Sequence, residues 1–372
     1  MTHVWDVPVH DSTRVRDARV AAEGAAALAG LDPSRTADAV LVATELATNL
    51  LKHARGGQLL VEAVTPPVTP PGGRPGGLVV QVAAVDHGPG MADVRTALGD
   101  GFSTAGSLGA GLGTCRRLAD DFDLHSVPGR GTVALARIGG PARARGRREP
   151  APGQAGAAAP GDTSAASAPF SARVGGVNIP FRGAACSGDA WTCVREGDRL
   201  TLMLADGLGH GPEAARASTT AVHEVQRSPH LPPAELLRRL DTALRGTRGA
   251  AVAVAQLDLR SGRLLFAGVG NVGARLREGD SWRHLLSRPG IVGAHRPTNL
   301  PESEAVWAQD RLLVLHSDGL PSRWAPPVDP RLLSCDPAVT AAVTVRDAGS
   351  SARPVRDDTA VAVLSPTPPD GP

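Results

Sequence analysis

Apolar and polar positions alternate over residues 4–9, which predicts a short strand. Helical spacing follows over 12–29 and again over 34–54. The second helix has a start signal in Asp32-Pro33-Ser34, with proline at the first turn. Apolar runs at 58–64 and 78–85 predict strands, separated by a Pro/Gly loop. A glycine-rich stretch over 86–113 leads into a helix at about 111–121. Strands at 122–127 and 132–138 flank the turn Pro128-Gly129-Arg130-Gly131. This order predicts an α+β sandwich with helices on one face of a mixed sheet.

Periodicity stops over 139–169, where Ala, Gly, Pro, Ser and Arg follow one another with almost no large apolar residue. Such a segment buries too little surface to offset its ordering entropy and is expected to be a flexible linker. Strands are then predicted at 172–178, 183–194, 199–205, 250–259, 263–269, 272–277, 311–317 and 359–364, with helices at 211–227 and 233–245. Many strands and few helices predict two packed sheets with helices outside. The expected division is a domain at 1–138, the linker at 139–169, a second domain at 170–366 and a disordered tail at 367–372.

Composition narrows the classes. The 372 residues carry a formal net charge of +2, which argues against nucleic-acid or membrane-surface partners. No apolar run approaches the ~18 residues of a membrane helix, and the N-terminus lacks a signal-peptide hydrophobic region. Four cysteines without CxxC spacing argue against zinc and for reduced thiols in a cytoplasmic protein. Lys52 is the only lysine; every other basic residue of the Lys and Arg total is arginine.

Lys52 belongs to a chemical pattern. Glu45, Asn49, Lys52 and His53 fall at i, i+4, i+7 and i+8 of the second helix and share a face. Alone, that stripe fits a solvated helix surface. Downstream, an apolar strand runs into Asp86-His87-Gly88-Pro89-Gly90, where a carboxylate can accept from an exocyclic amine beside an open backbone turn. Gly109-Ala110-Gly111-Leu112-Gly113-Thr114 then opens a helix, where backbone N–H groups and the helix N-terminus favour phosphate. No GxxxxGK[ST] is present, and no βαβ unit surrounds the triplet.

In this order, Glu45-x-x-x-Asn49-x-x-Lys52-His53, Asp86-x-Gly88-x-Gly90 and Gly109-x-Gly111-x-Gly113 resemble the N box and two glycine boxes of the GHKL family of ATP-binding domains. The run from Asp100 through Thr104 to Thr132 is most similar to the RsbT-like switch kinases that regulate bacterial sigma factors. The resemblance, over about 30–137, implies a Bergerat α/β sandwich that binds ATP and Mg²⁺. It implies that Asn49 holds Mg²⁺, that Asp86 reads adenine, and that Gly88, Gly90, Gly109, Gly111 and Gly113 line the phosphate path. Lys52, His53, Thr104 and Thr114 would complete the ATP contacts. Glu45 would orient or deprotonate the attacking serine hydroxyl.

The second half has four acidic motifs at strand ends: Ser187-Gly188-Asp189, Asp206-Gly207-Leu208-Gly209-His210-Gly211, Ser317-Asp318-Gly319 and Asp357-Asp358-Thr359. One strand ending in Asp-Gly is ordinarily a turn. Four acidic ends converging would repel without a cation, and hard carboxylates favour Mg²⁺ or Mn²⁺ over Zn²⁺. Two such ions suit phosphomonoester hydrolysis. ADGLGHG, with Ala267-Gly268-Val269-Gly270-Asn271 and Pro289-Gly290-Ile291-Val292-Gly293, is similar to PPM-type serine/threonine phosphatases of the SpoIIE and RsbX branch. That resemblance implies an α-β-β-α sandwich in which Asp206 bridges two Mn²⁺ or Mg²⁺ ions and the Gly207 carbonyl binds one. Asp318 and Asp357 would bind the other, with Asp189 at the edge. Asp357 is preferred to Asp358 because the family's ligand is the first of its acidic pair. His210 is expected near the centre with its role open, capping of the following helix being the favoured reading, and His316 is expected to pack at a strand end. The segment 321–327 and the helical region after it are short, which points to a minimal substrate flap.

Two motif sets on one chain imply a bifunctional regulator, an ATP-dependent serine/threonine kinase joined to a phosphoserine/phosphothreonine phosphatase. By resemblance both act on STAS-domain antagonist or scaffold proteins that control a sigma factor in partner switching, with the sigma factor or a downstream phosphatase as further partners. The alternatives are an N-terminal half that is a non-catalytic anti-sigma binding module, or a nucleotide sensor on an active phosphatase.

Overall fold

A computed structural model describes residues 3–65, 77–97, 111–140, 170–181, 184, 186–349 and 357–368. The expected Pro/Gly loop, most of the expected linker, the expected tail from 369, and both Thr104 and Gly109 lie outside the described residues.

The N-terminal half runs β1 (Val4–Val9), α1 (Arg14–Ala29), α2 (Pro33–Ala54), β2 (Gly57–Val64), β3 (Val79–Val85), α3 (Val94–Ala97), α4 (Gly111–Leu118), β4 (Asp121–Val127) and β5 (Gly131–Ile138). The Asp32 carboxylate caps α2 by accepting from Arg35 N, with Pro33 in the first turn as the start signal predicts. The five strands order as β1-β2-β3-β5-β4, and every pairing is antiparallel, so the expected mixed sheet is corrected. The cause is the turn at 128–131, which folds β4 back so that β5 enters between β4 and β3.

The C-terminal half forms two further antiparallel sheets. One orders as β13 (Ser303–Val306), β10 (Arg263–Val269), β9 (Ala250–Asp258), β8 (Arg199–Gly207) and β7 (Asp189–Glu196). The other orders as β12 (Ser281–Leu285), β11 (Gly273–Glu278), β14 (Leu312–His316), β15 (Thr359–Pro366) and β6 (Ala172–Ile179). Leu202, Leu204, Phe266, Trp307, Leu313 and Ala362 belong to the core between the two. Helices α5 (Pro212–Arg227) and α6 (Pro233–Ala243) cover the first through Met203, Val252, Leu237 and Leu240. The fold is α+β in both halves. No helix among the described residues is long and apolar enough to cross a membrane.

Helix α7 (Pro337–Ala348), which apolar periodicity does not reveal, joins the halves. Nearly every residue of it is buried. One side meets Val177, Ile179, Val361 and Val363 of β6 and β15; the other meets Leu60, Ala83, Val85, Val133 and Leu135 of the N-terminal sheet. The opposite face of that sheet packs on α1 and α2 through Leu59, Val61, Val80, Val82 and Ala136. The layers therefore run helices, sheet, α7, sheet, sheet, helices.

The α7-facing side carries one polar rung. Glu62, Gln81 and Arg137 are cross-strand neighbours and all are buried. Gln81 Nε2 donates to Glu62 Oε1 (2.9 Å) and to the Gly176 carbonyl (3.1 Å). Arg137 donates from Nε to Gln81 Oε1 and, as a fork, to both oxygens of Asp336, which caps α7. Burial pushes the Glu62 carboxyl up to about 7. At the other end of α7, Arg346 donates to the Gly131 carbonyl (3.3 Å), and the His87 ring pairs with the Arg346 carbonyl (3.0 Å). Leaving a buried member of such a network unpaired costs about 1–3 kcal/mol, so the polar rung fixes the register of the two halves.

Candidate functional site

The chain carries two sites, one in each half. In the N-terminal half, the 3.6-residue repeat of α2 brings Glu45 and Asn49 to the side that meets α4. A Cβ added at Gly111, the first residue of α4, would lie 3.0 Å from Glu45 Oε2 and 3.4 Å from the Asn49 amide. Asn49 Nδ2 is buried without a partner among the described residues. Its amide is therefore free of internal structure, although leaving it so is costly in the absence of a ligand.

Asp86 follows β3 and is 8% exposed. Its Oδ1 accepts from Gly88 N (2.7 Å) and Thr132 N (3.1 Å), which fixes the carboxylate and leaves Oδ2 open among the described residues. Burial raises its pKa above the ordinary carboxylate value, and those backbone donors oppose the rise. Gly90 has φ +66°, and a Cβ there would lie 2.1 Å from the Val127 carbonyl, so only glycine makes this turn. Gly113 is buried in α4, and the Thr114 hydroxyl accepts from Arg117. Lys52 and His53 are exposed, on the same helix but past the turn that meets α4. The unpaired Asn49 amide, the open Asp86 oxygen and a glycine-led helix N-terminus fit a nucleotide with its metal.

In the C-terminal half, the sheet register builds the centre. Asp189 on β7 and Asp206 on β8 are directly opposed. Like charges so placed repel. Asp189 is 1% exposed, and neither of its carboxylate oxygens has a partner among the described residues. Burial, then the neighbouring Asp206, hold its pKa well above the ordinary value. Asp206 is raised by burial and by Asp318, Asp357 and Asp358. Five carboxylates thus feel one another.

Asp189, Asp318 and Asp358 have distinct supports. Asn178 donates to the Asp189 carbonyl (2.8 Å), and Ser187 Oγ accepts from Asp189 N. Asp358 is 4% exposed and accepts from Phe181 N and Gly188 N, so it is a structural brace. Asp357 is exposed. Of the pair, Asp358 is therefore engaged within the fold and Asp357 faces out. Asp318 accepts from Asn271 Nδ2. The motif containing Asn271 is visible in the sequence, but its bond to a residue 47 positions away is not. Gly207 N donates to the Gly188 carbonyl, tying the two acidic motifs together.

Among the described residues no three Asp, Glu, His or Cys side chains close into a preformed cage. An ion that keeps several of its waters takes only a few protein oxygens. Asp189, with both oxygens buried and unpaired, and Asp206 opposite it fit a divalent cation on the chemistry of hard donors.

The expected cap is corrected: α5 has Gly211 at its N-cap and no side-chain cap, while the exposed His210 ring lies 6.4 Å from Phe181. His316 packs edge-on against Trp324 at the end of β14, and burial lowers its pKa to about 4. All four cysteines are free. Burial pushes the Cys115, Cys193 and Cys335 thiols up to about 12, which disfavours their thiolate forms.

Comparison with known proteins matches both halves. Residues 9–137 match the histidine kinase-like ATPase domain, and 196–366 match Stage II sporulation protein E (SpoIIE). The serine/threonine-protein kinase RsbT of Bacillus subtilis is 41% identical over 106 residues, 28% of this chain and 71% of that protein. The phosphoserine phosphatase RsbX of the same organism is 24% identical over 140 residues, 37% of this chain and 69% of that protein. A crystal structure of RsbX with magnesium superposes with a TM-score of 0.45 and 19% identity over 53% of this chain and 96% of that chain. The RsbU and RsbW domains of a Mycobacterium tuberculosis protein give 0.44 and 22% over 54% and 62%.

Proposed function

We propose, from the premise that the chain belongs to the RsbT family of serine/threonine kinases at its N-terminal end and carries a SpoIIE-type phosphatase domain at its C-terminal end, that it both adds and removes phosphate in a partner-switching pathway. The substrates are serine or threonine hydroxyls, and their phosphomonoesters, on STAS-domain antagonist or scaffold proteins of a sigma factor. The observation that carries this reading is a buried polar group without a partner among the described residues in each half: the Asn49 amide nitrogen in one, the Asp189 carboxylate opposite Asp206 in the other.

In the first site the open oxygen of Asp86 receives the adenine amine. The N-terminus of α4 would meet the phosphates, and Asn49 would hold Mg²⁺. Glu45 takes the hydroxyl proton as the serine oxygen bonds to the γ-phosphorus and the bond to ADP breaks. Lys52, His53, Thr104, Gly109 and Thr114 belong to the proposed ATP contacts. In the second site Asp206, the Gly207 carbonyl, Asp318 and Asp357 would hold two divalent ions, with Asp189 at the edge. When bound, the ions supply an activated water and neutralise the phosphoryl group. Asn271 and Asp358 hold the ligand-bearing segments still; as a water oxygen bonds to phosphorus the bond from phosphorus to the serine oxygen breaks, and a proton of that water ends on the serine oxygen, giving free serine and inorganic phosphate.

The test uses ATP labelled at the γ-phosphate and a STAS-domain protein from the same cell. Label is expected on the STAS protein with an Asp206→Asn chain, and native chain with Mn²⁺ is expected to release labelled phosphate from a phosphorylated STAS protein. ATP binding without transfer to any cognate STAS protein would replace the kinase with a binding module.

The buried α7 contact favours a second reading beside the first, in which the nucleotide half also sets the phosphatase. Arg346 and His87 connect α7 to the strand and turn that hold Asp86. Gln81 reaches the Gly176 carbonyl, two residues before the Asn178 that holds Asp189. ATP or ADP is expected to shift the Mn²⁺ affinity about 5-fold or more, with Mn²⁺ shifting nucleotide affinity by the same factor. Equal Mn²⁺ titrations with and without nucleotide would remove this coupling.

A further inference from the structure

Arg248 stands against the loop that follows Asp206, with no ionic or hydrogen-bonding partner for its side chain among the described residues. Its neighbours differ: Arg245 and Arg296 both pair with Asp241, and Arg239 pairs with Glu224. The position follows from the sheet. Strand β9 starts at Ala250, opposite Gly207, and places Ala251 opposite Asp206. Leu208 N donates to the Gly249 carbonyl (3.1 Å), so the residues before β9 lie along the loop that follows Asp206.

On that loop Gly209 has φ +84°, and a Cβ there would sit 2.9 Å from Arg248 Nη1. The missing side chain makes room for the guanidinium. The Gly209 carbonyl in turn lies 3.3 Å from the Cβ position of Gly188, the residue before Asp189. Arg248 is exposed, but its backbone is not loose. Thr247 Oγ1 donates to the Leu244 carbonyl (2.7 Å) and accepts from Gly249 N (3.0 Å), and Ala250 N donates to the Val292 carbonyl (3.0 Å).

An unpaired guanidinium against the loop that follows Asp206 has no group among the described residues to neutralise it. It is in place if the site also receives a dianion. The planar fork of arginine matches two phosphoryl oxygens, and its charge offsets the repulsion a phosphomonoester meets from the surrounding aspartates. We propose that Arg248 is the phosphate-binding residue of the C-terminal site, donating to non-bridging oxygens of a phosphoserine or phosphothreonine side chain. The proposal rests on the phosphatase reading of that site and specifies what recognises the substrate.

The test is direct binding of inorganic phosphate to the Mn²⁺-loaded full chain by calorimetry, with KM for a phosphoserine peptide alongside. Arg248→Ala is expected to weaken phosphate and raise KM by roughly 10- to 100-fold, the scale of one charged hydrogen-bonded contact, with Mn²⁺ affinity unchanged. Arg248→Lys should recover part of the loss, because it keeps the charge and loses the fork. Arg245→Ala, an equal change of charge nearby, should match the native chain. Native phosphate affinity and KM in Arg248→Ala would overturn the proposal, as would equal losses in Arg245→Ala. Native chain that binds phosphate through Arg248 without hydrolysing the peptide would leave the proposal standing and remove the phosphatase reading instead.

Discussion

An Asp206→Asn chain is expected to lose Mn²⁺-dependent hydrolysis of phosphoserine by roughly 10²–10³-fold or more, the scale set by removing a principal electrostatic support of a transition state. It is also expected to be more stable than the native chain in EDTA. Asp206 and Asp189 face each other across β7 and β8, and burial denies both the screening of water. A neutral amide at one of the two positions relieves that repulsion. In Mn²⁺ the order should reverse. A ligand that binds only the folded state at 100 times its Kd stabilises by about 2.7 kcal/mol, and the variant forgoes most of that gain. Activity and thermal melting, each with Mn²⁺ and with EDTA, check both halves of the expectation. Full native activity in EDTA would sink the dimetal centre, and an equal Mn²⁺-induced shift in both chains would remove Asp206 from it.

The same opposition of stability and function explains what the sequence showed and what it hid. Acidic motifs at strand ends are legible because Asp-Gly ends an apolar run visibly at 206–207 and again at 318–319. The two glycine boxes are legible for a similar reason. What pairs with them is not. Asn271 reaches Asp318, and Arg248 reaches the loop after Asp206, only because the second half folds into two sheets.

Helix α7 escaped for a different reason. Its sequence, PAVTAAVTVRDA, is buried on all sides and β-branched, so it has no amphipathic stripe to give it away. The strands it covers did carry a clue. The runs at 58–64 and 78–85 are apolar on both faces, which a strand with one solvated face is not. Within them Glu62 and Gln81 are polar intrusions, and with Arg137 they form one rung against the second half. Three buried polar residues at matching strand positions were therefore the sequence signature of the contact between halves, readable only once the register is known.

Glu45→Gln is expected to separate nucleotide binding from phosphoryl transfer in the other site. The glutamine keeps the size of the side chain packed toward Gly111 and Asn49 and removes the proposed acceptor for the serine proton. ATP affinity should stay within about threefold of native, while transfer to a STAS-domain protein should fall roughly 10²–10⁴-fold, the usual contribution of a positioned general base. Asp86→Ala should do the reverse. It deletes the one carboxylate that Gly88 N and Thr132 N hold in place, so ATP binding itself should be lost. Both belong in an Asp206→Asn background, so that phosphate once transferred is not removed. Fluorescent ATP titration reads the first quantity and γ-labelled transfer the second. Native transfer rates in Glu45→Gln would take the base away from Glu45 and leave positioning by Asn49 and the α4 N-terminus as the chemistry of the site. Loss of ATP binding in Glu45→Gln would instead make Glu45 part of the nucleotide cradle.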